Sequence, residues 1–462
     1  MKQHCFLVVL IIFALSNKGY AQTWIPVGSP EFSAGPTQYA SIAIAGSVTK
    51  AERTDRPAAP TIYVAYEDFA YGARASVMKF NGSSRVYAGS PGFSADTVGF
   101  TRIAVNKQGT PYIVYEDAAY KGGAATVMKL DSTGWVNVGN PGFSAGQINW
   151  ADIALDSNGT PYVVYSDFSM SGAIVVMKYN GSNWVNVGTP GFSAGEAMYE
   201  SITIAPNGTP YVCMGDGWYG TKARVMKFNG TSWVNVGSPA FSVDDVGWTS
   251  IAIDTGGTPY VAYADAGFGL NAVVKKFDGS SWVYVGAPGF SESDFVQYTS
   301  MALDPGGVPY VVYEDANFYA SAKKFNGTEW VNAGNPEFSL DIIGGTAIAF
   351  AGATPYVVYV DNKVTVMVLD TGNKSSVNHT DLPSTSLNIF PNPDFGTFTL
   401  RLSSSMSGTT IFTITNMMGE RVADFTANTN EDLNVQTELP AGLYLVTALS
   451  AKGREIAKLV VK

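Results

Sequence analysis

The chain has 462 residues and a formal charge of −10 at pH 7, with 49 glycines and 13% aromatics beside only 14% charged residues. That mix suits many short strands joined by tight turns, and it excludes disorder over most of the length. The acidic balance repels phosphate backbones, so nucleic acid and anionic membrane surfaces are poor partners.

In chain order, Met1–Ala21 reads as a secretory signal: Lys2, an apolar stretch Phe6–Leu15, then Gly19-Tyr20-Ala21 as a small-x-small site, with cleavage expected after Ala21. The apolar stretch is too short to span a bilayer, and no later segment reads as transmembrane. The segment carries Lys2 and Lys18 and no acid, so its removal takes the formal charge from −10 to −12. Cys5 precedes the apolar run and does not read as a lipid-attachment site. The mature chain then keeps Cys213 alone, and its stability must come from packing without an internal disulfide. His4 falls in the leader and His379 in a polar stretch, so the folded body has no histidine. Ser-His-Asp and Cys-His nucleophiles and histidine-ligated zinc are thereby excluded.

From Trp24 to Asp370 the sequence repeats. A tyrosine recurs at Tyr63, Tyr112, Tyr162, Tyr211, Tyr260, Tyr310 and Tyr356, at intervals of 46 to 50 residues, which makes seven units. Each unit holds four β-like runs, for example Ser250–Asp254, Pro259–Asp265, Ala272–Phe277 and Trp282–Gly286, separated by Gly-Gly-Thr-Pro and Asp-Gly turns. Four antiparallel strands repeated seven times predict an all-β fold, a seven-bladed β-propeller spanning residues 22–370. The last unit lacks the outer Trp-Val-Asn-Val-Gly run, and the missing strand stands at the start of the mature chain as Trp24-Ile25-Pro26-Val27-Gly28. Pairing the two ends closes the ring and removes an open edge.

Most recurring residues suit packing. Trp135, Trp184, Trp233, Trp282 and Trp330 begin outer strands, and Phe32, Phe93, Phe143, Phe192, Phe241, Phe290 and Phe338 read as core wedges. Lys79, Lys129, Lys178, Lys227, Lys276 and Lys324 are expected to snorkel between blades. The first unit departs, with Arg85 in place of tryptophan and a charged insertion Gly46–Ala58.

Residues 371–386 are polar and aperiodic, a linker. Residues 387–462 alternate over Thr397–Leu402, Thr410–Thr415 and Tyr444–Ala448, which predicts a small Ig-like β-sandwich. The segments LNIFPNPDFGTFTL, NMMGERV, LPAGLYLV and the terminal KLVVK resemble, in order, the type A C-terminal sorting domain of type IX secretion cargo. The resemblance implies passage through the inner membrane, recognition by the type IX machinery, and a product that is secreted or held on the outer surface of a Gram-negative bacterium.

Two loop sets on one face of the ring carry candidate chemistry. Second strands end in Asp68, Asp117, Asp167, Asp216, Asp265, Asp315 and Asp361, with an aromatic three residues later at Tyr71, Tyr120, Tyr219, Phe268 and Phe318. The other set ends in Tyr39, Phe100, Trp150, Tyr199, Trp248 and Tyr298, and Gly345 breaks the series. Carboxylates accept hydroxyl hydrogen bonds and flat rings cover the apolar face of a pyranose, so these residues are candidate glycan contacts. The competing roles are loop capping for the aspartates and interface filling for the aromatics. The pairs Glu67-Asp68, Glu116-Asp117, Glu314-Asp315 and Asp244-Asp245 are adjacent along the chain and point apart, so no unit shows a single catalytic constellation. A non-enzymatic module binding glycan or a surface protein is the expectation, with no cofactor and no metal; a structural or adhesion protein and a polysaccharide hydrolase or lyase are the alternatives.

Overall fold

In the computed structural model the described residues are 22–45, 60–80, 85–193, 195–291, 295–370, 386–390, 397–403, 408–416, 421–437, 439–450 and 453–461. The signal segment with its Ala21 cleavage site, the insertion Gly46–Ala58, and nearly all of the linker lie outside them. The chain divides into two compact units, Met1–Gly372 and Asn373–Lys462. Among the described residues no helix is long and apolar enough to cross a membrane.

In the first unit the strands form seven four-stranded antiparallel sheets, a propeller-like arrangement. The pattern is set by Thr37–Ala45, Thr61–Asp68, Arg74–Phe80 and Arg85–Tyr87, paired in that order. The first strands of successive sheets are spatial neighbours in cyclic order, and Thr346–Ala351 of the last lies beside Thr37–Ala45 of the first. Second strands are buried on both faces, so they read as continuous apolar runs such as Pro161–Asp167, every residue of which is buried.

Tryptophan latches join the sheets. Trp184 Nε1 donates to Val138 O at 2.7 Å, and its ring stacks on Phe143 with centroids 4.2 Å apart. The same bond and stack recur for Trp135, Trp233, Trp282 and Trp330. Each latch satisfies the indole N–H while burying its ring, the combination a buried tryptophan requires. The last latch comes from the other end of the described chain. Thr23–Pro26 pairs with residues 367–370, Trp24 Nε1 donates to Ala333 O at 2.6 Å, and the Trp24 ring stacks on Phe338 at 4.8 Å. Where Arg85 replaces tryptophan, its guanidinium covers Phe32 at 5.5 Å and donates to Ser29 O at 3.1 Å. A planar cation thus covers the phenylalanine as the indole does, while its hydrogen bond goes to Ser29 O rather than to the carbonyl equivalent to Val138 O and the side chain stays exposed.

The second unit has a three-stranded sheet ordered Ser386–Phe390, Thr397–Ser403, Leu433–Gln436 and a four-stranded sheet ordered Arg421–Asn428, Thr409–Asn416, Gly442–Ser450, Gly453–Val461. Phe398, Leu400 and Leu402 from one and Phe412, Ile414, Val446 and Leu459 from the other share one core.

Candidate functional site

Each first strand of six sheets begins with a β-bulge. The register slips between Gln38 and Ser41, and at the equivalent places in the next five sheets. The residue extruded there is the predicted aromatic: Tyr39, Phe100, Trp150, Tyr199, Trp248 and Tyr298, all left-handed with φ between 48° and 59°. Bulges re-aim a side chain, and left-handed backbone is costly for a bulky residue. The next sheet holds the strained turn in place: Thr101 Oγ1 donates to Tyr39 O at 2.5 Å and Thr346 Oγ1 to Tyr298 O at 2.8 Å, while Thr249 and Thr299 bond the carbonyls of Tyr199 and Trp248.

The extruded rings touch one another in series. Centroid separations are 4.7 Å for Tyr39 and Phe100, 5.0 Å for Phe100 and Trp150, 4.7 Å for Trp150 and Tyr199, 5.4 Å for Tyr199 and Trp248, and 5.7 Å for Trp248 and Tyr298. The result is a half-exposed aromatic belt along the inner rim of six sheets. The seventh position is Gly345, so the belt is open between its two most exposed rings, Tyr298 and Tyr39, each 36% exposed.

Carboxyls lie beside the two ends of the belt. Burial, reinforced by the charge of Glu116, pushes Glu67 up to about 7, and burial with Asp315 nearby pushes Glu314 up to about 7. The phenol of Tyr39 is raised by burial and then by Glu67 and Glu116, and that of Tyr298 by burial and then by Glu314. At neutral pH these carboxyls populate both protonation states, so they can donate as well as accept hydrogen bonds.

The strand-end aspartates depart from the expectation of ligand-facing carboxylates. Asp68, Asp117, Asp167, Asp216, Asp265 and Asp315 are all buried. Their carboxylates accept the N–H two residues on, at Ala70, Ala119, Ser169, Trp218, Gly267 and Asn317, over 2.8–3.1 Å. Four of them N-cap short 3₁₀ turns, and Asp216 also pairs with the buried Arg224 at 2.6 Å. The buried carboxylate is the capping group its turn needs, which leaves little of it to face solvent.

The second aromatic set sits apart from the belt. Tyr71 and Phe268 pack edge-on to Tyr87 and Tyr284, Arg224 covers Tyr219, and Tyr120 lies where a side chain on Gly142 would stand. Phe318 is exposed and bonds the backbone of Asp315. The same turns present Phe69, Phe168 and Trp218 to solvent, with Trp218 71% exposed. The sequence signal for these was the position directly after each aspartate or one further on.

Below the belt, three charged residues break the repeat. Ser201, Ser250 and Ser300 accept N–H groups of the following sheet, whereas the equivalent positions in earlier sheets carry Arg102 and Asp152. Asp152 takes over the same duty, accepting from Ile202 N at 3.0 Å. Glu200 stands where other sheets have threonine or alanine and accepts the Ser166 hydroxyl. Burial raises Asp152 and Glu200 and lowers Arg102. Comparing the units position by position, rather than for shared letters, is the signal that finds them. Among the described residues no group of three or more His, Cys, Asp or Glu is placed to hold a metal.

A comparison with curated proteins finds no match. Among solved structures the chain is similar to a PL25 ulvan lyase (14% identity, 75% of this chain and 96% of that one, TM-score 0.48). It is also similar to a six-bladed fucose-recognising lectin of Aleuria aurantia (14% identity, 67% and 98%, TM-score 0.44) and to the polysaccharide lyase Uly1 (8% identity, 76% and 99%, TM-score 0.45). Residues 388–462 match the family described as the secretion system C-terminal sorting domain, a tail that directs the chain to the type IX export machinery and so to the cell surface or the medium.

Proposed function

We propose that residues 22–370 are a seven-bladed β-propeller closed by its N-terminal strand, and that its aromatic belt binds a neutral glycan without cleaving it. Residues 1–21 are a signal peptide, 371–386 a linker, and 387–462 an Ig-like sorting domain that delivers the ring to the surface or the medium. The observation that carries the binding reading is the belt itself. Six aromatics occupy left-handed backbone that glycine would adopt without strain, and none of the six rings is fully buried. Strain kept at half-exposed residues is characteristic of functional surfaces.

Rings 4.7–5.7 Å apart share edges, so the belt acts as one composite surface and not as a set of independent sites. Glu67, Glu116 and Glu314 beside it favour hydroxyl-rich, uncharged saccharides over uronates. A glycan array probed with residues 22–462 should retain neutral oligosaccharides; an array on which no neutral glycan is held overturns the reading.

Polysaccharide cleavage is a second reading, favoured by Glu67 and Glu314 at about 7, where general acid–base chemistry works best. Release of reducing ends from the polysaccharide that binds decides between the two.

A further inference from the structure

The opposite rim of the ring carries two clefts with matching linings. In the second strands, Tyr162 stands five residues before Asp167, so it lies about 17 Å from the aspartate turns, at the other end of the sheet. One cleft, about 430 Å³, lies between the second and third sheets and is lined by Tyr112, Lys129, Asp156, Tyr162 and Lys178. The other, about 500 Å³, lies between the fifth and sixth sheets and repeats that lining with Tyr260, Lys276, Asp304, Tyr310 and Lys324. Both volumes fall in the range that accommodates a small ligand.

The chemistry of these clefts is the reverse of the belt's. Each receives one half-buried lysine from each flanking sheet, and Lys178 and Lys324 lie over the rings of Tyr162 and Tyr310 at 5.8 and 5.7 Å. Among the described residues Lys129, Lys178 and Lys276 make no ion pair within 4.0 Å. The acids present are engaged locally: Asp156 Oδ1 accepts from Asn158 N and Thr160 N, and Asp304 Oδ1 from Gly306 N and Val308 N. In a chain with an excess of acids, convergent ammonium groups with no carboxylate within 4.0 Å make a local site for anions, with Lys129 in the field of Asp131 and Lys324 donating to Gln22 Oε1 at 3.1 Å. Two phenols beside each pair add hydrogen-bonding and stacking surface of saccharide size. The overall negative charge disfavours polyphosphates and acidic polysaccharides alike, so it is the phenols, which stack on a saccharide ring, that favour the saccharide.

We propose that these clefts bind the anionic units, sulfate esters or uronates, of an acidic polysaccharide, independently of the belt on the other rim. The test is affinity electrophoresis of residues 22–462 in gels holding dextran sulfate, alginate or uncharged dextran, with double-stranded DNA as a competitor. Retardation by dextran sulfate, alginate or both is expected, and which of them acts identifies the anion. It should weaken about twofold to fivefold for each lysine removed in Lys129→Ala, Lys178→Ala and Lys276→Ala, as for a half-exposed ion pair. Raising the salt to about 0.5 M should abolish it. No retardation by either anionic polymer, retardation that survives the triple lysine variant, or equal displacement by DNA would each overturn the proposal.

Discussion

Trp150 shows what a single residue contributes to this molecule and what it costs. With φ at 51° its backbone is strained, and both neighbouring belt rings, Phe100 and Tyr199, lean on its side chain. Trp150→Ala keeps the strain and loses the ring, whereas Trp150→Gly loses the ring and relieves the strain. The glycine variant should therefore be the more stable of the two by about 1 kcal/mol, or about 2 °C in thermal melts; an alanine variant that melts higher would show that the left-handed backbone is not strained. Glu67 and Glu314 give a pH test. Their folded values, about 7, lie above the ordinary carboxyl value, so the folded state binds more protons and the stabilisation is complete below about 4.5. It is lost as pH rises through about 7. Melts should fall between pH 5 and pH 8, and Glu67→Gln with Glu314→Gln should flatten that fall; an unchanged slope contradicts it. Residue types at the belt were readable in the sequence, but their conformation was not, because a bulge leaves no letter of its own.

At the scale of the element, the turn after each second strand explains why the aspartates recur. In sequence an Asp followed by an aromatic fits a sugar site and a capped turn equally well, and the two part only when burial is known. Asp265 makes the point, since it accepts from Gly267 N and also from Val243 N and Asp244 N. Asp265→Ala should lower stability by about 1–2 kcal/mol, as the loss of a cap does, without changing glycan retention. Retention lost at unchanged stability would return the carboxylate to the ligand. The strand Thr23–Pro26 was legible for the opposite reason, because a tryptophan run at one end matched a missing run at the other. Deleting residues 22–34 removes the Trp24 latch and exposes the edge of Val364–Asp370. At about 3–5 kcal/mol for the tryptophan alone, the melting temperature should drop by roughly 6–10 °C; a drop within 2 °C would mean that the strand does not hold the ring closed.

At the scale of the whole molecule, repetition gives seven four-stranded sheets whose first strands neighbour one another in cyclic order, and the departure at Gly345 interrupts the belt. The repeat itself was plain from tyrosine spacing. Arg102, Asp152 and Glu200 were less so, since Arg102 and Asp152 replace serine and Glu200 replaces threonine or alanine at positions whose bonding between sheets only the fold reveals. The tail adds an address: removing Leu387–Lys462 should leave the ring in the periplasm, and normal yield in the medium would contradict the sorting role. On the reading proposed above, the belt faces a ligand and does not fill a core. Affinity electrophoresis of a Trp150→Ala, Trp248→Ala double variant in a neutral polysaccharide that retards the wild type, paired with its thermal melt, tests that claim most directly. Lost retardation with a melting temperature within a few degrees of the wild type is expected, whereas unchanged retardation with a collapsed melting temperature, each buried ring costing about 3–5 kcal/mol, would return the rings to the core.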